Sequence, residues 1–197
     1  GPRDRAKIPA GAAVIDVSGY TVLPGLLDAH FHIGSGSTIH TIPPLFLSHG
    51  VTTARDPGRP IEVWLAVRDT GRPVPRMFVT GPHFDQVPPA WPKNAVVLAS
   101  PQAARDAVDQ YVQQGASGIK VYFRLSLESI AATCEQADKH GIPVTAHLEL
   151  VNASDAIRAG MDGIEHITSF GTDLAEPEVA ERFRAAVDAE NEARQDG

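Results

Sequence analysis

A repeated unit runs through this sequence: a short apolar segment, a loop, an amphipathic segment and a turn that contains glycine. The apolar segments are rich in β-branched residues and bounded by turn residues, which predicts β-strands. Six strands are predicted, over residues 21–32, 50–56, 75–81, 118–123, 142–150 and 162–167. Because strands alternate with helices, we expect a parallel sheet with right-handed crossovers.

The amphipathic segments carry the start and stop signals of α-helices. Ser100 and Pro101 stand where an N-cap and a first helical position are expected, ahead of the segment QAARDAVDQYVQQ. Ser126 predicts the start of the next helix, and Gly141 predicts its end. A highly charged surface helix is predicted to begin near Pro177.

Two folds fit this alternation: an open doubly wound sheet and part of a (β/α)8 barrel. No G-x-G-x-x-G motif follows a predicted strand, which disfavours the dinucleotide-binding form of the open sheet. The polar residues collect at the predicted carboxyl ends of the strands, where barrels carry their chemistry. We therefore predict an α/β fold that is a partial (β/α)8 TIM barrel, with about six of eight strand–helix units.

The composition excludes some classes of partner. A hydrophobic content of 43% with 21% charged residues is typical of a soluble globular protein. The net charge of −7 argues against nucleic acid and anionic membranes as partners. No apolar run reaches the roughly 18 residues of a membrane span. The single Cys134 cannot form an internal disulfide, so we expect a cytoplasmic location and a metal site, if any, built from nitrogen and oxygen ligands.

Five ionisable side chains fall at predicted strand ends: His30, His32, Lys120, His147 and His166. Two histidines one residue apart on a strand point to the same face, so both imidazoles could meet one metal ion. In a barrel, His147 and His166 would converge on the same mouth from neighbouring strands. A buried lysine is costly unless its charge is removed. Reaction with CO2 to a carbamate would remove it and supply a carboxylate able to bridge two cations.

Each of these residues also has an ordinary structural explanation when taken alone. Lys120 could be salt-bridged at the surface, and either His147 or His166 could be a hydrogen-bonded core histidine; the shared placement of the five favours the metal site.

His83 and Trp91 are weaker candidates for substrate contact. Trp91 lies in the proline-rich stretch 81–101, which we expect to be irregular and to form a lid or pocket wall.

Several motifs together resemble a known family. VLPGLLDAHFH is similar to the first-strand signature of the amidohydrolase superfamily, in which the two histidines bind metal. GVTTARD, GIKVY, PVTAHLE and GIEHI resemble later strands of that superfamily in the same order. The similarity extends from about Ile15 to about Ile167, and its nearest branch is the imidazolonepropionase-like and prolidase-like one.

The resemblance implies a binuclear metal centre and an activity. His30 and His32 would hold the first ion, His147 and His166 the second, and a carbamylated Lys120 would bridge them. Zinc is the first choice, with Mn2+, Fe2+ or Co2+ as alternatives. Members of the family hydrolyse amide or other C–N bonds of small molecules, including dipeptides, and sometimes esters, with a metal-activated hydroxide.

One part of the family pattern is not found: the strand-eight aspartate that acts as general base. Asp173 lies only seven residues after His166, too close for two further strand–helix units. We therefore predict that residues 1–20 are a remnant of a small β-domain and that residues 21–197 form an incomplete hydrolase barrel. Such a chain would be inactive alone and would need the missing C-terminal barrel segment or a partner chain, which leaves a homo-oligomer possible.

Two other functions remain open from the sequence. The chain could be a non-catalytic metal-binding fragment or interaction module, or a mononuclear relative similar to deaminases in which Lys120 is an ordinary amine. The substrate itself is not predicted.

Overall fold

The computed structural model describes residue 5 and residues 7–34, 38–68 and 71–195, and its fold is α/β with parallel sheets. The strands are β1 (Leu26–Asp28), β2 (Val51–Asp56), β3 (Arg76–Val79), β4 (His83–Asp85), β5 (Ala95–Val97), β6 (Ile119–Val121), β7 (Val144–Ala146) and β8 (Gly163–Ile164). The helices are α1 (Thr38–Ser48), α2 (Ile61–Arg68), α3 (Pro101–Gln113), α4 (Leu127–His140), α5 (Ala153–Arg158), α6 (Gly171–Leu174) and α7 (Pro177–Gln195).

The strands form two parallel sheets, one in the order β1-β2-β3 and the other in the order β5-β4-β6-β7-β8. The two sheets meet where residues 80–82 separate β3 from β4. At this junction the Thr80 N–H donates to the Asp56 carbonyl over 3.3 Å, and the Ser117 N–H donates to the Val79 carbonyl over 2.8 Å. The carboxyl ends of strands from both sheets therefore come together.

Each of the six predicted strands contains an observed strand, but the observed strands are shorter and two more are present. β4 and β5 lie inside the stretch 81–101, so the prediction that this stretch is irregular was wrong in part. Both strands have three residues, which is too short for a hydrophobic period to be recognised. The predicted count of six barrel units is not confirmed.

The predicted helix caps are confirmed. The Ser100 hydroxyl oxygen accepts a hydrogen bond from the Ala103 N–H at the start of α3, and the Ser126 hydroxyl oxygen accepts one from the Ser129 N–H at the start of α4. Gly141 ends α4 with a φ of 67°, a left-handed conformation that favours glycine. α3 and α4 pack against the second sheet through apolar residues that include Ala104, Val108, Ile130 and Ala137.

The larger core lies between the second sheet and helices α3, α4 and α5. Its fully buried members include Phe84, Ile119, Val121, Ile130 and Leu148. Burial of such side chains is the main stabilising contribution to a fold of this size, roughly 1.5–3 kcal/mol for each. The strands that carry the candidate site residues are therefore held by a well-packed layer behind them.

Residues 7–25 contain no strand or helix. The domain boundary predicted at residue 20 stays a prediction. None of the described helices has the length and apolar character that crossing a membrane would require.

Candidate metal centre

The His30–His32 pair lies beyond the strand that was predicted to carry it. β1 ends at Asp28, so the prediction that His30 and His32 lie on a strand and point to the same face for that reason was wrong. The chain still runs beside β2, because the Phe31 N–H donates to the Arg55 carbonyl over 3.0 Å. The rings converge all the same: their Nε2 atoms lie 3.2 Å apart, with centroids 5.0 Å apart.

The other nitrogen of each ring is bonded to a carboxylate. His30 Nδ1 lies 2.6 Å from Glu165 Oε2, and His32 Nδ1 lies 3.0 Å from Asp56 Oδ1. An ionised carboxylate can only accept hydrogen bonds, so both Nδ1 atoms carry a proton, and in the neutral form of each ring the lone pair is on Nε2. This is the arrangement found around metal-binding histidines, where the second partner fixes the tautomer.

Glu165 is held in its ionised form. Burial by itself would raise the pKa of this carboxyl, but the hydrogen bond from His30 and the charges of Lys120 and Arg55 together lower the pKa to about 2. The Arg55 guanidinium donates to Glu165 and also to the Ala29 carbonyl and the Thr145 hydroxyl. Glu165 therefore accepts from His30 at every pH near neutrality.

Lys120 lies at the middle of β6 rather than at its end, and only 1% of it is exposed. Within the described part of the chain, its Nζ has no hydrogen-bond partner. Burial lowers the pKa of Lys120 to about 7; Glu165 opposes the shift and Arg55 adds to it. A substantial fraction of the side chain is thus an uncharged amine near neutral pH, as carbamate formation requires.

His147 and His166 follow β7 and β8 and continue the row of imidazoles. The His166 ring lies 4.6 Å from that of His30 and 4.6 Å from that of His147. Among the described non-glycine residues, His166 alone has a positive φ, of 65°, a conformation often found at functional sites. Burial and the neighbouring His147, His30 and Lys120 lower the pKa of His166 to about 4, so its ring is neutral near pH 7.

The four imidazoles form a row and do not surround one point. In the ranges described above, no three His, Cys, Asp or Glu side chains converge closely enough to hold a metal ion as they stand. The donor chemistry nevertheless suits a divalent cation: the Nε2 atoms of His30 and His32 lie 3.2 Å apart, and the buried Lys120 amine has no partner among the described residues. Imidazole and carboxylate-type ligands suit zinc and its neighbours.

All five predicted metal ligands line one cavity of about 460 Å³. Both weaker candidates line it too. The complete lining is His30, His32, Gly58, Arg59, His83, Trp91, Asn94, Lys120, Tyr122, His147 and His166.

His83 is 6% exposed and lies against this cavity, and neither ring nitrogen has a standard hydrogen bond within the described ranges. Burial and the neighbouring His32, Lys120 and His147 lower its pKa to about 3, although the nearby Pro57 carbonyl opposes the shift. Its ring is therefore neutral near pH 7.

Two residues close in sequence to the cavity residues do not line the cavity. Phe84, which follows His83 directly, is fully buried in the core. Asp173 lies in α6 and accepts hydrogen bonds from the Ser154 N–H and hydroxyl, so it braces the start of α5. Neither residue belongs to the cavity lining.

Glu165, Tyr122 and Arg59 were missed by sequence reasoning. Glu165 precedes a candidate ligand directly, but nothing in the local pattern shows that its side chain reaches a histidine 135 positions earlier. Tyr122 and Arg59 were not recognised as cavity residues, because an aromatic or basic residue after a strand is common and does not indicate a functional site.

Comparison with known proteins gives relatives of one kind. No protein-family model matches the chain. The enamidase of Eubacterium barkeri is 27% identical over an alignment 208 residues long, gaps included, and the alignment covers 91% of this chain and 51% of the enamidase. A prolidase solved in complex with N-methylphosphonate-L-proline superposes with a TM-score of 0.64 and 25% identity, covering 83% of this chain and 52% of the prolidase. Bottromycin amidohydrolase gives a TM-score of 0.63 and 29% identity, covering 80% of this chain and 36% of that protein. The chain thus spans about half the length of the enamidase.

Proposed function

Because the structural neighbours of this chain are members of the TIM-barrel amidohydrolase superfamily, we propose that it is the metal-binding part of a metal-dependent amidohydrolase that cleaves a C–N bond of amide type. The observation that carries the proposal is the close approach of the His30 and His32 Nε2 atoms, 3.2 Å apart, in the same cavity as the buried Lys120 amine, which has no hydrogen-bond partner in the described part of the chain. A purely structural lysine would be expected to have a partner for this buried amine.

The residues present would hold two divalent ions, with zinc as the first choice and Mn2+, Fe2+ or Co2+ as alternatives. His30 and His32 would bind the first ion and His147 and His166 the second. Lys120, as a carbamate, would bridge them: its Nζ bonds to the carbon of CO2 and one proton is released. When bound, such ions supply a hydroxide nucleophile at neutral pH and polarise the scissile carbonyl.

The chain's own residues orient and tune this site. Glu165 and Asp56 hold the Nδ1 protons of His30 and His32, which keeps each Nε2 lone pair directed into the cavity. His83 stays neutral, so it can share a hydrogen bond with substrate without adding a charge.

The general base is proposed to come from a further barrel segment or a partner chain. Apolar side chains are exposed at two sheet edges, on β1 of the first sheet and just after β8 of the second sheet. Leu26 and Leu27 of β1 are 61% and 73% exposed, and Ile167, just after β8, is 82% exposed. Apolar surface of this kind is typical of an interaction face, and further strands there would cover both edges.

The proposed activity is tested on the natural full-length product of the gene, loaded with Zn2+ or Mn2+. Hydrolysis is measured on a panel of N-acyl amino acids, dipeptides and matching esters, and metal content and the intact mass of Lys120-containing peptides are determined in parallel. We expect amide hydrolysis that chelation removes, two ions per chain and a carbamate on Lys120. Occupied metal sites without turnover would favour the non-catalytic binding module, and one ion with an unmodified Lys120 would favour the deaminase-like alternative.

Replacing Glu165 with glutamine is expected to weaken Zn2+ binding about 10-fold to 100-fold, the usual effect of removing a carboxylate behind a metal-binding histidine. The amide preserves the size of the side chain but removes the charge that stabilises the His30 Nδ1 proton. The measurement is a competition titration of Zn2+ into the metal-free chain. Glu135→Gln, on the exposed face of α4, is the matched control, and equal affinities for both variants would contradict the role of Glu165.

A further inference from the structure

Tyr122 stands among the histidines of the cavity and is fixed on three sides. Its ring stacks on His83, with centroids 4.5 Å apart and planes at 22°, and meets the His147 ring edge at 4.9 Å. The indole N–H of Trp91 donates to the Tyr122 hydroxyl oxygen over 2.9 Å. Neighbours from three separate parts of the chain therefore hold both the ring and the hydroxyl in place.

The Tyr122 hydroxyl retains a donor. An indole N–H can only donate, so the Tyr122 oxygen is the acceptor in its contact with Trp91 and its own O–H is left over. Among the residues with described positions, no acceptor for this O–H is found. Since Tyr122 lines the 460 Å³ cavity, the space there is available to a ligand atom that accepts this hydrogen bond.

The loop that carries Trp91 is held in place by hydrogen bonds. The fully buried Asp85 carboxylate accepts hydrogen bonds from the backbone N–H groups of Ala90, over 2.8 Å, and Arg124, over 3.2 Å. The Arg124 guanidinium donates to the Pro88 carbonyl in the same loop. Of the two alternatives for this stretch, a fixed pocket wall fits these contacts better than a lid, and the wall presents a Trp91 ring that is 57% exposed.

We propose that Tyr122 is a specificity-determining residue that donates a hydrogen bond to a carbonyl or carboxylate oxygen of the substrate, with Trp91 aligning the hydroxyl and covering an apolar group beside that oxygen. This proposal rests on the proposed function, since it names the substrate feature that the same cavity selects. The expected ligand is a small amide with an acceptor oxygen close to an apolar or aromatic group.

Binding to the metal-free chain tests the proposal without depending on catalysis. The probes are N-acetyl-L-phenylalaninamide and N-acetyl-L-phenylalaninate, titrated calorimetrically into the wild-type chain and four variants. Tyr122→Phe removes only the hydroxyl and is expected to weaken binding about fivefold to tenfold, the effect of one hydrogen bond. Tyr20→Phe, at a site that is 82% exposed, is the matched control and should bind within about twofold of wild type.

The Trp91→Phe variant distinguishes the effect of Trp91 on the orientation of the Tyr122 hydroxyl from its apolar contact with the ligand. It removes the indole N–H while keeping a smaller aromatic ring, so we expect a larger loss of affinity in the wild-type background, about threefold, than in the Tyr122→Phe background, about twofold, where only apolar contact is reduced. Thermal unfolding of each variant checks that it is folded. Equal affinity of wild type and Tyr122→Phe, or no saturable binding of either probe to wild type, would overturn the proposal. A failure of the proposed function would appear instead as missing metal or missing hydrolysis in the separate assay.

Discussion

Replacing Lys120 with methionine is expected to stabilise the metal-free, CO2-free chain strongly near pH 6 and progressively less as the pH rises. Burial lowers the pKa of Lys120 from 10.5 to about 7 in the folded chain, whereas the unfolded chain keeps the ordinary value. Below about pH 7 the folded chain must bury an ammonium group, so the full free-energy cost of burying this charge lowers the stability of the fold. As the pH rises from about 7 to 10.5 the folded chain loses this proton first and the cost disappears.

The difference between 10.5 and about 7 corresponds to a cost of the order of 5 kcal/mol below pH 7. Methionine has a similar shape and no charge, so the variant escapes this cost. Denaturant unfolding of both proteins between about pH 6 and 10 gives the difference in unfolding free energy. Lys139→Met, at an exposed position of α4, is the control and should show no such dependence on pH.

The same substitution should remove the CO2-dependent part of metal binding, because methionine cannot form a carbamate. A gain in stability together with a loss of metal binding is the usual relation at a functional site. If Lys120→Met is no more stable than wild type near pH 6, the lysine is not a buried charge in the folded chain.

Replacing both His30 and His32 with alanine is expected to weaken Zn2+ binding by more than about 100-fold, beyond the effect of losing one carboxylate behind a ligand. The two Nε2 atoms lie 3.2 Å apart, so one ion could take both as ligands after a small shift of the rings. The substitutions also leave the carboxylates of Glu165 and Asp56 without their histidine partners. Calorimetric titration of Zn2+ at neutral pH gives the affinity and the number of ions bound.

His49→Ala provides the control for the double variant. His49 is exposed after α1, where its Nδ1 lies 2.9 Å from the Leu45 carbonyl, and it is not part of the cavity lining. Its removal should leave Zn2+ affinity unchanged. Unaltered Zn2+ binding by the His30→Ala, His32→Ala variant would refute the role of this pair and, with it, the proposed first metal site.

Much of the local structure could be predicted from the sequence. The caps at Ser100 and Ser126 act over three residues, so a short window of sequence contains the whole interaction. The two short strands β4 and β5 could not be predicted, because three residues carry no recognisable period and their pairing depends on distant partners such as Val121.

The sequence by itself determined which side chains are brought to one cavity: His30, His32, Lys120, His147 and His166 each follow or occupy a parallel strand, and the carboxyl ends of parallel strands lie together. Only the tertiary structure decided how these side chains are held. The contact of His30 with Glu165 joins residues 135 positions apart, and that of Trp91 with Tyr122 joins residues 31 positions apart. Such contacts arise from the packing of the sheets and loops against one another, and no local pattern encodes them.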